Sequence, residues 1–242
     1  MLAAIAMTGQ FLARSVTVDG VAHNYQVWVP ATYERARQWP AILFLHGAGE
    51  RGDDGEKQIA VGLGPALRDG KVDAEAIVIF PQCPEGPRWV EPTPTRIAIA
   101  ALDAAEREFS IDRNRVALTG MSMGGAGAWM LAVRYPKRWS ALATVCAYIH
   151  RPPSVPDLDN PTTETYDQFA KRVPHIPIWI FHGSDDTVVP VAESREMARA
   201  LGARAGYTEF AHTDHNAWDP AYTQTHVISW LVSQKRQRRP RE

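Results

Sequence analysis

The chain has 242 residues, of which 45% are hydrophobic and 22% are charged, and its formal net charge is −1 at pH 7. This length supports a sizeable buried core, and the composition is typical of a water-exposed globular protein. The near-neutral charge argues against nucleic acid as a partner, no apolar run is long enough to span a membrane, and two cysteines are too few for a disulfide framework.

The two ends of the chain carry little functional signal. The apolar start, MLAAIAM, lacks the basic leader of a signal peptide, which predicts cytoplasmic residence; a trimmed secretory leader would give the same pattern. The basic end, KRQRRPRE, predicts a solvated, frayed terminus rather than a binding patch.

The first half of the chain predicts a hairpin followed by alternating strands and helices. Strands are expected at 11–18 and 22–29, joined by a turn at Asp19-Gly20, and then at 41–45, 76–80 and 115–119. Helical periodicity covers 95–109, and a second helix is expected at 126–135. This alternation is typical of a mostly parallel sheet.

The second half continues the pattern. Strands are expected at 142–147, 178–181 and 207–210, and helices at 163–173, 191–201 and 221–232. A proline-rich irregular stretch, 149–161, precedes the first of these helices, so residues 149–173 are expected to form a small lid, or else a long surface connection. The sequence predicts an α/β fold as one domain over 1–242, with a mostly parallel twisted sheet and helices on both faces.

Ser122 is the strongest candidate for chemistry. It lies in Gly120-Met121-Ser122-Met123-Gly124, between the strand at 115–119 and the helix at 126–135. A serine at a strand-to-helix junction, with glycines two residues before and after it, is the pattern of a nucleophile elbow. The sharp turn exposes the hydroxyl beside the free amides of a helix start.

A serine nucleophile needs a base and an acid that orients the base, and both are expected after later strands. The segment FHGSDDTVVP follows the strand at 178–181 and offers Asp186 or Asp185 as the acid. After the strand at 207–210, His215 lies well into the loop and His212 lies at the strand end. The chain order serine, aspartate, histidine favours His215 as the base.

The amides that would receive an oxyanion are predicted on two segments. One donor is Met123, the residue after the nucleophile, and the other is Ala48, with Gly49 as the alternative, in the glycine-rich loop LHGAGERG. His46 in this loop is expected to be a hydrogen-bonded scaffold residue. No metal is expected, because His212 and His215 lack the spacing of a helical metal site and no cysteine is near them in sequence.

Five segments together resemble the α/β-hydrolase superfamily, in the order LHGAGERG, FPQCPEGPRW, GMSMGG, FHGSDDTVVP and DHNAW. The chain is most similar to compact esterases related to polyhydroxybutyrate depolymerases and feruloyl esterases, over residues 12 to 232. The resemblance implies an α/β-hydrolase fold, Ser122 as nucleophile, Asp186 as triad acid and His215 as base, without a cofactor. It also implies Trp89 as a wall of the substrate pocket, with packing in the core as the alternative. Gly49 and Glu50, in the loop LHGAGERG, are further candidates for substrate binding.

The sequence therefore predicts a serine carboxylesterase that acts on a small-molecule ester with a short acyl chain. A peptidase, a polyester depolymerase or a feruloyl esterase is the alternative within the same chemistry. A catalytically silent binding protein on this fold is the alternative from another class.

Overall fold

The computed structural model of the chain describes residues 9–154 and 161–236. The strands are β1 Gln10–Val18, β2 Val21–Val29, β3 Trp39–Leu45, β4 Ile77–Pro81, β5 Ile111–Met121, β6 Ala141–Val145, β7 Ile178–Gly183 and β8 Ala205–Phe210. The α-helices are α1 Leu63–Arg68, α2 Pro92–Glu108, α3 Met123–Arg134, α4 Tyr166–Arg172, α5 Ala192–Leu201, α6 Trp218–Gln224 and α7 Val227–Ser233.

All eight of these strands form one sheet, in the order β1-β2-β4-β3-β5-β6-β7-β8. The first two strands form an antiparallel hairpin, and β2 pairs antiparallel with β4, whereas the pairs from β4 to β8 are parallel. Asp19 and Gly20 both have positive φ, at 53° and 80°, which suits the tight turn of a hairpin. The predicted α/β fold with a mostly parallel sheet is confirmed.

Helices cover both faces of the sheet, so the core has two layers. Leu43 and Leu45 of β3 point into the layer under α2, α3 and α5, whereas Ile42 and Phe44 point into the layer under α1, α6 and α7. All four side chains are fully buried. A strand covered on both faces is apolar at every position, which is why β3 reads as a continuous hydrophobic run.

Two helical regions differ from the sequence prediction. Helix α1 was not predicted, because Gly64 and Pro65 give it poor helix propensity; burial of Leu63 and Leu67 against the sheet stabilises it instead. The closing helix predicted at 221–232 is two helices. Thr225 separates them with an extended backbone, and its hydroxyl donates to the Ala221 carbonyl and accepts from the Val227 amide.

The predicted lid lies partly outside the described residues, which omit 155–160. Its helix, α4, begins with a capping box in which Thr165 and Gln168 satisfy each other's amides. Phe169 on α4 is buried and packs edge-on against Trp129 of α3. The described part is therefore tied to the core, and a lid role stays a prediction.

Among residues 9–154 and 161–236, every helix is too short or too polar to cross a bilayer.

Candidate active site

Ser122 occupies a strained turn between β5 and α3. Its backbone has φ 53° and ψ −120°, a region that residues with a side chain rarely adopt. A Cβ on Gly124 would overlap the Leu45 carbonyl oxygen, and one on Gly120 would overlap the Gly124 carbonyl. The flanking glycines are thus required by close backbone packing, and the turn leaves the Ser122 side chain partly exposed.

Three of the predicted residues form a hydrogen-bonded series. The Ser122 Oγ lies 2.9 Å from Nε2 of His215, and Nδ1 of His215 lies 2.7 Å from Oδ2 of Asp186. Because a carboxylate only accepts, Nδ1 carries the proton and Nε2 is free to accept from the serine hydroxyl. A nucleophile, a base and an orienting acid connected in this way are the arrangement that acyl transfer requires.

The loop carrying His215 is held against the end of β7. The amide of Asp185 donates to the Thr213 carbonyl at 2.9 Å. A Cβ on Gly183 would overlap the carbonyl oxygens of Thr213 and Asp214, so only glycine permits this approach. The His215 ring also packs edge-on against Trp218, with 5.4 Å between ring centroids.

Every acceptor position of the Asp186 carboxylate is used. Oδ1 accepts from the amides of Val188 and Val189, both at 2.8 Å, and Oδ2 accepts from His215 and from Nε2 of His182 at 3.1 Å. Burial opposes ionisation of this fully buried side chain, but the hydrogen bonds from His182, His215 and Val189 outweigh it and hold the pKa of Asp186 well below its usual range. Asp186 is therefore ionised beside His215 near neutral pH.

His182 is the residue of this site that the sequence reasoning missed. Its side chain is fully buried, with Nε2 on Asp186 and Nδ1 2.7 Å from the Ser194 hydroxyl. The available signal was a histidine at the end of an apolar strand, four residues before a candidate acid. A polar side chain at such a buried position needs a polar partner.

The alternative acid and base lie on the surface. Asp185 accepts from the Ser184 hydroxyl at 2.6 Å, and its carboxylate lies 3.9 Å from His212. The His212 side chain is 95% exposed. Both residues therefore belong to a solvated turn next to the hydrogen-bonded series of Ser122, His215 and Asp186.

The predicted oxyanion donors lie on two segments that meet at Ser122. Met123 is the first residue of α3, where helix amides have no intrahelical partner. The other segment is a short 3₁₀ turn, Ala48–Glu50, directly after Gly47. A Cβ on Gly47 would lie 3.8 Å from Cβ of Ser122, so this loop borders the nucleophile. Within it, Gly49 is exposed and Glu50 is half-buried, and burial raises the pKa of Glu50.

The position of Trp89 favours packing in the core over a role as pocket wall. The side chain is only 1% exposed and its Nε1 donates to the His46 carbonyl at 3.0 Å. Trp89 therefore packs in the core behind the loop that follows β3. Its indole contributes apolar area there, and its N–H finds the partner that a buried indole needs.

His46 is a buried scaffold residue. Its Nε2 accepts from the Cys83 amide at 3.0 Å, so Nδ1 carries the proton and donates to the Gly47 carbonyl at 2.7 Å. Burial lowers the pKa of His46 to about 4. The neutral ring holds Gly47 and Cys83 together at the base of the loop.

A cysteine does lie near His215 in space, contrary to the sequence-based argument against zinc. Donor atoms of Cys146, Asp186 and His215 lie within 4.8 Å of one another. However, both nitrogens of His215 and all acceptor positions of Asp186 are engaged in hydrogen bonds. Burial and the charge of Asp186 raise the pKa of the Cys146 thiol well above its usual range. The donor set is better suited to proton transfer than to coordination of a cation.

Known structures share this fold. A thermostable esterase is 30% identical, with a TM-score of 0.78, over 93% of this chain and 63% of its own length. The feruloyl esterase module from Clostridium thermocellum complexed with sinapinate is 13% identical, with a TM-score of 0.69, and the match covers 97% of this chain and 92% of the module. The fluorophosphonate-binding serine hydrolase F of Staphylococcus aureus is 14% identical, with a TM-score of 0.70, over 94% and 100% of the two chains.

The chain thus spans less than two thirds of the length of the thermostable esterase. No curated protein matches its sequence. The family model described as "Putative esterase" matches residues 20–227, which include Ser122, Asp186 and His215. The resemblance inferred from the sequence motifs is confirmed, and the chain belongs to this esterase family.

Proposed function

We propose that the protein hydrolyses carboxylic esters through an acyl-enzyme intermediate, with Ser122 as nucleophile, His215 as general base and Asp186 as the orienting acid. The observation that carries the proposal is the hydrogen-bonded series from Ser122 through His215 to Asp186, at 2.9 and 2.7 Å. Membership of an esterase family supports the same reaction class.

In the proposed reaction, His215 takes the serine proton at Nε2 while Ser122 Oγ attacks the ester carbonyl. The amides of Met123 and Ala48 receive the negative charge of the tetrahedral intermediate. His215 then gives its proton to the departing alcohol. Water, activated by the same imidazole, attacks the acyl-enzyme and releases the acid. This sequence needs no cofactor.

A short acyl chain is the proposed substrate preference. The loop beside Ser122 carries the polar side chains of Glu50 and Arg51, and Arg51 is held by a hydrogen bond from Nε to the Ala48 carbonyl at 2.9 Å. Desolvating such groups against a long apolar chain is unfavourable. We expect acetyl to butyryl aryl esters to give a higher kcat/KM than decanoyl esters. A kcat/KM that rises steadily with chain length would contradict this preference.

The reaction class is tested with a fluorophosphonate probe and a p-nitrophenyl acetate assay. The wild-type protein is expected to be labelled at Ser122, and Ser122→Ala to lose labelling and at least about 99% of turnover, as triad knockouts do. Circular dichroism checks that the variant is folded. Folded wild-type protein that is neither labelled nor active would support the silent binding protein instead.

A further inference from the structure

We propose that His182 is a positioning residue of this site, which holds the Asp186 carboxylate in the orientation that His215 requires. The proposal rests on the proposed function, because it assumes that Asp186 orients the base. His182 acts on the base only through its hydrogen bond to Asp186.

Asp186 Oδ2 is shared between two imidazoles. Nδ1 of His215 lies 2.7 Å from it and Nε2 of His182 lies 3.1 Å from it. Nε2 of His182 also lies 3.0 Å from the Val189 carbonyl. Since both neighbours of this nitrogen are acceptors, it must carry a proton. His182 is therefore a donor to the same oxygen that His215 uses.

The orientation of His182 is itself determined by α5. The Ser194 side chain, on the first turn of that helix, is buried and its hydroxyl lies 2.7 Å from Nδ1 of His182. The contacts thus run from α5 through Ser194, His182 and Asp186 to His215. They connect a helix on one face of the sheet to the proposed base.

The hydrogen bonds of the buried Asp186 carboxylate explain why His182 would affect its orientation. With both oxygens satisfied by two donors each, rotation of the carboxylate would break hydrogen bonds that the dry surroundings cannot replace. Without His182, Oδ2 keeps only the hydrogen bond from His215, and rotation of the carboxylate is opposed by three hydrogen bonds instead of four. His215 would then spend less time in the tautomer and orientation that accept the serine proton.

The central test compares His182→Leu with His182→Gln. Leucine fills similar volume without a donor, whereas glutamine places an amide N–H near the position of Nε2 and an oxygen within reach of Ser194. We expect His182→Leu to lower kcat and the rate of fluorophosphonate labelling by about 10- to 100-fold, with KM almost unchanged. His182→Gln should recover most of that loss.

Two further variants separate positioning from folding. Ile180→Ala removes a buried side chain from the same strand and should lower the melting temperature while leaving kcat near the wild-type value. Ser194→Ala keeps His182 but removes the hydrogen bond at its Nδ1, and should lower kcat by about 3- to 10-fold, the range for one hydrogen bond. This variant keeps the proposal testable if His182→Leu does not fold.

The proposal is overturned if folded His182→Leu keeps kcat within about 3-fold of wild type, the effect expected of one weak hydrogen bond. It is equally overturned if the leucine and glutamine variants lose the same activity, or if Ile180→Ala of matched stability loses as much. Wild-type protein that resists the probe contradicts the proposed function rather than the role of His182 within it.

Discussion

At the residue scale, the environment of each side chain separates candidates that look alike in sequence. Asp185 and Asp186 are neighbours, yet one lies in a solvated turn and the other accepts four hydrogen bonds in the core. His212 and His215 differ in the same way: the side chain of the first is 95% exposed and that of the second 18% exposed. Only a buried, aligned pair stabilises an imidazolium during the reaction.

Paired substitutions test this difference directly. Asp186→Asn should lower kcat by about 10⁴-fold, because the amide favours the wrong tautomer of His215, whereas Asp185→Asn should have little effect. His215→Ala should likewise abolish turnover, and His212→Ala should keep most of it. Steady-state kinetics on p-nitrophenyl acetate measure all four variants. Equal losses within either pair would require the acid or the base to be reassigned.

The lowered pKa of the buried His46 side chain predicts that the stability of the protein depends on pH. Burial lowers its folded-state pKa to about 4, whereas an unfolded histidine titrates at about 6.5. Between these values the unfolded chain binds the proton and the folded chain does not. The stabilisation is thus fully present above about pH 6.5 and is lost as the pH falls towards 4, amounting to about 2 kcal/mol between pH 7 and 4.5.

Chemical denaturation of His46→Gln measures this contribution. When the pH falls from 7 to 4.5, the free energy of unfolding of the variant should decrease by about 2 kcal/mol less than that of the wild type. His212→Gln is the matched control, since it makes the same change at an exposed position. An unchanged pH dependence in His46→Gln would mean that other groups account for acid sensitivity.

At the element scale, the ends of β5, β7 and β8 are the parts of the fold that bring the site together. Ser122 follows β5, Asp186 follows β7 and His215 follows β8. These strands run in parallel, so their carboxyl ends lie at one edge of the sheet. The loops that carry Asp186 and His215 can lie against each other because residue 183 is a glycine.

Gly183→Ala adds only one methyl group, but it should reduce activity strongly. The new methyl would overlap the carbonyls of Thr213 and Asp214 and displace the loop that carries His215. We expect kcat to fall by at least about 10-fold, as small misplacements of reacting groups do. Gly206→Ala on β8 is the control, because the atoms nearest its Cβ would belong to the Trp179 ring, at 3.3 Å, and not to the backbone. Normal kinetics in Gly183→Ala would show that the loop tolerates the change.

At the scale of the whole molecule, the two-layer core encloses both cysteines. Cys83 and Cys146 are fully buried and unpaired, and burial raises the pKa of Cys83 to about 12. Neither thiol is available as a thiolate near neutral pH. We expect a thiol reagent such as 5,5′-dithiobis(2-nitrobenzoate) to titrate no thiol in the native protein and two after unfolding in guanidinium chloride.

The same measurement reports on the site, because Cys146 lies within 4.8 Å of Asp186 and His215. Rapid reaction of one thiol in native protein would show that the site opens to solvent behind Ser122. Cys83→Ala assigns any such reaction to Cys146. Because both cysteines are free thiols, we expect the same melting temperature with and without reductant.

Features that depend on short stretches of chain could be predicted from the amino-acid sequence alone. The apolar strands and the hairpin turn at Asp19-Gly20 are local patterns, because strand periodicity and tight turns involve near neighbours. The glycine-flanked turn at Ser122 is also visible as a short motif, although the Leu45 carbonyl that requires Gly124 belongs to a distant part of the chain. The chain order of serine, aspartate and histidine favoured His215 as the base, and the resemblance of five segments implied the α/β-hydrolase fold. These signals were enough to nominate the three residues that the structure connects.

Contacts between groups that are distant in sequence depend on the folding of the whole chain. The contacts of His215 bridge 93 residues to Ser122 and 29 residues to Asp186, and no local pattern reports such distances. Packing also placed Trp89 in the core, Cys146 beside His215 and His182 on Asp186. Burial and hydrogen-bond partners are properties of the assembled layers, because the atoms that exclude water from one loop belong to distant parts of the chain.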